Sequence, residues 1–135
     1  MPLATKRWND PALAADGHRL LVCRIRPRGV AKATEPWDAW WPELGPSRPL
    51  LDAVHGKTAP PIDFAREYAP RYLEEMRGPA QTWRIRNLAE RVAAGETITL
   101  LCSSACVDPQ RCHRTLLQRL VEQAAAPAAV SRRRR

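Results

Sequence analysis

Residues 100–114 read LLCSSACVDPQRCHR and place Cys102, Cys106, Cys112, His113, Arg111 and Arg114 in one short stretch. Thiols, an imidazole and guanidinium groups together suggest nucleophilic chemistry on an anion. An acid followed by proline, as at Asp108 and Pro109, is a helix-start signature. Cys112, His113 and Arg114 would then occupy the first turns of a helix, where free N–H groups and the positive dipole end favour negative charge. The same field, reinforced by Arg111, Arg114 and Arg28, would lower a thiol pKa. Cys106 or Cys112 would be the nucleophile, His113 the acid/base, and Arg24, Arg28 and Arg114 the anion clamp. A phosphate-bearing small molecule, a nucleotide or a nucleic-acid end would fit. The cysteine-phosphatase spacing is excluded, because it requires arginine six positions after the cysteine and Arg111 comes one place early after Cys106.

The same residues suggest a second chemistry. Cys102, Cys106, Cys112 and His113 are enough donors for tetrahedral zinc, the one cofactor the sequence suggests. Against it, the spacings are irregular, and neighbours on a helix point about 100° apart. Packing is the plainer alternative: free cysteine behaves as a small hydrophobe, so Cys102 at a strand end and Cys23 in a strand read as core. His113 could cap a carbonyl, and Arg114 could pair with Glu90 or Asp108.

These groups need elements to hold them. Residues 18–25 have a compact apolar centre after the Asp16-Gly17 turn and stop at Pro27, which reads as a buried strand. Residues 97–102 are β-branched and apolar and read as a second, of the parallel type. Residues 3–8 suggest an edge strand. Ile85, Leu88, Ala89, Val92 and Ala93 recur with helical period up to Gly95. Phe64, Ala65, Tyr68, Ala69, Tyr72, Leu73 and Met76 form a similar stripe, with a break expected near Ala69 because Pro70 lies inside it. Leu116, Leu117, Leu120 and Val121 mark the last helix. Trp37, Trp40 and Trp41 fall in a short helical or looped segment, more suited to core and lid than to base stacking.

Strands separated by helices imply an α/β fold: one domain with a small, mostly parallel sheet covered by helices. Ligands collect outside the carboxyl ends of such strands. The exits at Arg24, Arg26 and Arg28 and at the cysteine stretch should therefore share one edge, although salt-bridged structural arginines are an equal alternative there. His55 precedes Gly56-Lys57-Thr58, a faint echo of a phosphate loop, but the leading glycine and the strand are missing.

Composition bounds the rest. The formal charge of +8 owes half its value to Arg132, Arg133, Arg134 and Arg135. Residues 1–123 read as the domain and 124–135 as a flexible basic tail. A non-enzymatic module binding nucleic acid through a basic surface and this tail is therefore the rival function. The charged start and the lack of eighteen consecutive apolar residues argue against a signal peptide and a membrane span. The expected location is the cytoplasm, where thiols stay reduced.

Taken in order, RIRPRG at residues 24–29, WWPELGPS at 40–47, the aromatic spacing Phe64, Tyr68, Tyr72, and LLC followed by CHR resemble the domain-of-unknown-function 488 family, with features of its YeaO-like branch. The resemblance spans about residues 20–121. It implies an α/β fold and no established activity.

Overall fold

ITLLC at residues 98–102 lies at the centre of the molecule, because every one of its side chains can be buried without an unpaired charge. The computed structural model describes residues 3–57 and 60–126. In it Ile98–Cys102 is a strand, buried throughout. Leu3–Arg7 (β1) flanks it on one side, pairing Leu3 with Ile98 and Arg7 with Cys102. His18–Leu21 (β2) flanks it on the other, pairing His18 with Ile98 and Leu21 with Leu101. Ala39–Trp40 (β3) lies beside β2, and Ile98–Cys102 is β4. The order β1-β4-β2-β3 is parallel at every pairing. β3 falls inside the tryptophan segment expected to be helix or loop; two residues are too few to show a period of two.

Three helices follow from the expected stripes, Ala69–Glu75 (α2), Pro79–Ala93 (α3) and His113–Ala125 (α4), and a fourth, Arg48–Val54 (α1), was not anticipated. Ser47 caps α1, its Oγ accepting from the Leu50 N–H at 3.3 Å, ahead of Pro49 in the first turn. The break expected near Ala69 is present. Phe64–Tyr68 forms a π-turn, and α2 begins after it with Pro70 in its first turn, where no donor is lost.

Sheet alternation sorts the side chains into two layers. Leu20, Ile98 and Leu100 pack with Leu50, Tyr72, Leu88, Leu117 and Val121, so the helices cover this face. Each fully buried leucine there contributes roughly 1.5–3 kcal/mol. Leu21 and Leu101 face the other way and pack with Trp37, Cys23, Cys102 and Cys112, closed by Trp8 and Val30 from loops. Sequence periodicity suggested helices around the sheet; on this second face tryptophans replace them. An ionic knot sits here too. The Asp16 carboxylate pairs with Arg19 and with Lys6 at 2.7 Å, and the Asp16 carbonyl accepts from the Thr99 hydroxyl at 2.8 Å.

Gly17 enters β2 with φ 64°, and a Cβ there would lie 2.2 Å from the Thr97 carbonyl oxygen. Only glycine fits.

Three expected boundaries move. The strand expected over residues 18–25 ends at Leu21; Val22 still donates to the Leu101 carbonyl at 2.9 Å, after which the chain leaves the sheet. The last helix does not begin at Asp108. Asp108 does cap, accepting from Gln110 N–H at 3.0 Å, but it opens only the 3-10 turn Pro109–Arg111. Cys112 is then extended (φ −140°, ψ 143°) and takes the N-cap position of α4 without a side-chain capping bond, so His113 is the first helical residue. α4 also runs beyond residue 123, to Ala125. The arginine tail lies, from residue 127 on, outside the described residues.

Candidate functional site

Because the strands are parallel, β2 and β4 release their chains at the same edge. A cavity of about 530 Å³ opens there. Its wall takes residues 23–28 from the exit of β2, Leu51, Val54 and His55 from α1 and its cap, Phe64 and Tyr68 from the π-turn, and Cys102, Cys106, Cys112 and His113 from the exit of β4. The early arginines and the late cysteines thus share one cavity.

The sulfurs form a chain. Cys112 Sγ lies 3.3 Å from Cys102 Sγ, which lies 3.3 Å from Cys106 Sγ. All three lie within 4.8 Å of one another, so the cluster could hold a metal ion. Cys102 and Cys112 are buried and Cys106 is half-buried. Hydrogen bonding from Cys102 and then Cys112, with the Arg114 charge adding to it, outweighs burial and holds the Cys106 thiol well below its ordinary value. The donors move oppositely: bonding to Cys106 raises Cys102, and bonding to Cys102 raises Cys112. Of the three thiols, Cys106 is therefore the one that ionises first.

His113 Nε2 lies 2.9 Å from the Val22 carbonyl oxygen, which can only accept, so Nε2 carries the proton. Nδ1 is left with its lone pair, 3.8 Å from Cys102 Sγ. Burial lowers the imidazole pKa and keeps it neutral. The Tyr72 ring lies 5.5 Å from it, with the Tyr72 hydroxyl donating to the Leu44 carbonyl at 2.8 Å.

The arginines divide. Arg24 donates to the Pro46 carbonyl at 2.9 Å and the Gly45 carbonyl at 3.1 Å, and it lines the cavity. Arg26 is bound to Glu35 at 2.6 Å and stacked over Trp37, so it is structural. Arg28 is exposed on the cavity wall, and among the described residues it makes no side-chain hydrogen bond or ion pair. Arg114 departs from expectation, being absent from the wall and only 5% exposed. It pairs with neither Glu90 nor Asp108. Its Nη2 donates to the Cys106 carbonyl at 3.3 Å, while Nε and Nη1 find no partner among the described residues. A cation in the first turn of a helix opposes the dipole, a cost that negative charge on Cys106 would offset.

A model of the active DUF488-N3 subclade, DUF488-N3a, matches residues 3–125. The chain belongs to the DUF488 family. It is 36% identical over 104 residues to the uncharacterized protein YeaO of Escherichia coli strain K12, covering 77% of this chain and 84% of that one. It is also 36% identical over 76 residues to the uncharacterized protein Rv3073c of Mycobacterium tuberculosis H37Rv, covering 56% of this chain and 61% of that one. No solved structure matches significantly.

Sequence reading of this DUF488 chain missed Tyr68, which it placed with the packing stripe. Tyr68 lines the cavity although buried, and its hydroxyl has no hydrogen-bond partner among the described residues. Burial, then the negative charge of the cysteines, raises its pKa and keeps it a donor. A tyrosine four residues after Phe64 and two before Pro70 was the available signal. His55, set aside with its Gly-Lys-Thr sequence, is an exposed part of the wall, and Thr58 of that sequence lies outside the described residues. Among the described residues no helix is long and apolar enough to cross a membrane.

Proposed function

We propose that this DUF488 cavity is a thiol-dependent site for a phosphate-bearing molecule. Cys106 is the nucleophile: its sulfur bonds to an electrophilic carbon or phosphorus as the bond from that atom to its leaving group breaks, the leaving group departing with the electron pair and taking a proton from solvent. Arg24 and Arg28 bind the anion, Arg114 adds its charge to the thiol hydrogen bonds that keep Cys106 ionised, and His113 exchanges protons through Cys102 and Nδ1. Cys112 steadies the cluster by donating to Cys102. The observation that carries this reading is a half-buried sulfur on the wall of a cavity that it shares with Arg24 and Arg28. The apolar wall of Leu51, Val54 and Phe64 suits a ligand with a ring beside its phosphate, as in a nucleotide.

The test is alkylation of Cys106 followed by mass spectrometry, with inorganic phosphate or a nucleoside monophosphate as protectant. Rapid reaction at neutral pH, slowed by either anion, and loss of protection in Arg28→Met are expected. An ordinary thiol profile, or identical rates with and without anion, overturns the reading.

One observation favours a second reading, a zinc centre: three sulfurs within 4.8 Å of one another, with His113 Nδ1 3.8 Å from one of them. Metal analysis of the purified protein decides it, since stoichiometric zinc would block the nucleophile.

A further inference from the structure

We infer that the cysteine cluster is also a peroxide-responsive modification site, in which Cys102 captures oxidised Cys106 as a disulfide and removes the nucleophile from the cavity. The inference rests on reading Cys106 as the reactive thiol. It adds a resolving partner and a class of co-reactant, a hydroperoxide.

The geometry separates the roles. Cys106 is the half-buried sulfur of the cluster and lines an open cavity, so a small oxidant meets it first. Cys102, on the same wall but buried, has its sulfur 3.3 Å away, far less open to solvent than Cys106 yet in contact with it. Residues 103–105 between them form a surface turn, closed by the Cys106 N–H donating to the Ser103 carbonyl at 3.0 Å, and Ser104 and Ala105 are exposed. Forming a disulfide requires the sulfurs to approach to about 2.05 Å. A short exposed turn yields to that more readily than β4 or α4.

The steps balance. The Cys106 thiolate attacks the terminal oxygen of the peroxide; the O–O bond breaks, sulfur gains OH and is oxidised to sulfenic acid, and the departing alkoxide or hydroxide takes a proton from solvent to leave as alcohol or water. The Cys102 sulfur then attacks the Cys106 sulfur. The S–O bond breaks, and the departing hydroxide takes the Cys102 proton to leave as water. His113 Nδ1, 3.8 Å from Cys102 Sγ, is placed to carry that proton. A dithiol reductant reverses the change.

The experiment treats the full-length reduced protein with a small excess of hydrogen peroxide, caps remaining thiols and digests with trypsin. Cleavage after Arg91 and Arg111 leaves Cys102 and Cys106 in one peptide and Cys112 in the next. The expected product is that first peptide lighter by about 2 Da, formed also in Cys112→Ser. Cys106 alkylation should fall at least about tenfold after treatment and return with dithiothreitol. In Cys102→Ser a sulfenic acid trapped by dimedone, or the sulfinic acid about 32 Da heavier, should replace the disulfide. Over-oxidation of Cys106 in the unsubstituted protein without any disulfide, or a disulfide lacking Cys102, overturns the inference. It leaves the nucleophile reading standing if Cys106 still alkylates rapidly at neutral pH. Resistance to both peroxide and alkylating agent overturns both.

Discussion

His113 and Val22, ninety-one positions apart in sequence, are joined by a 2.9 Å hydrogen bond from the imidazole Nε2 to the backbone carbonyl. The bond ties the start of α4 to the exit of β2, and by setting the tautomer it turns a lone pair toward Cys102. Replacing His113 with alanine leaves the Val22 carbonyl buried without a donor. A loss of about 1–3 kcal/mol is expected from urea unfolding, with an unchanged dependence on denaturant. Unaltered stability would show that water replaces the ring at no cost.

Arg114 acts on Cys106 from within the fold, so its removal should change reactivity more than shape. In Arg114→Met the alkylation midpoint of Cys106 should rise by about one pH unit, because the thiolate loses a cation while its thiol donors remain. The measurement is alkylation rate against pH, with circular dichroism confirming a native spectrum. An unmoved midpoint would mean that Cys102 and Cys112 alone set the thiolate.

Gly45 lies against the strand exit so closely that a Cβ would meet the Arg24 backbone nitrogen at 2.4 Å. Gly45→Ala should cost about 1–3 kcal/mol through overpacking. It should also weaken protection of Cys106 by phosphate, since the Gly45 and Pro46 carbonyls orient the Arg24 guanidinium. Thermal unfolding and the alkylation assay read the two effects separately.

Burial pushes the Asp16 carboxyl upward, but hydrogen bonds from Lys6, the Leu13 N–H and Arg19 overcome it and bring the pKa down from 3.8 to about 2. The folded state thus binds this proton less readily than the unfolded chain. Its stabilising contribution is complete above pH 3.8 and disappears as the pH falls toward about 2. Asp16→Asn should remove that step from the acid unfolding curve. At neutral pH it should cost about 3–5 kcal/mol by stranding Arg19.

The strands β1, β2 and β4 and the helices α3 and α4 were legible because their signals are local: apolar runs of strand length, or apolar residues at helical spacing. β3 was not, since its two residues join the sheet only because β2 offers a free edge. The helix start was misplaced for a related reason. Asp108 and Pro109 form a good cap, yet extended Cys112 interrupts the helix after one turn and takes the N-cap position where its sulfur packs against Cys102.

The site divides in the same way. The chain's own order of residues determined that arginines follow one buried strand and cysteines another, and parallel pairing puts both exits on one edge. Which arginine is free, which cysteine is accessible and which histidine nitrogen holds the proton were decided by tertiary structure alone. Each depends on partners remote in sequence: Glu35 and Trp37 occupying Arg26, the cavity wall leaving Cys106 open, and the Val22 carbonyl facing His113. Local sequence specifies backbone preference and apolar periodicity, whereas charge state and exposure are set by neighbours that only folding brings within reach.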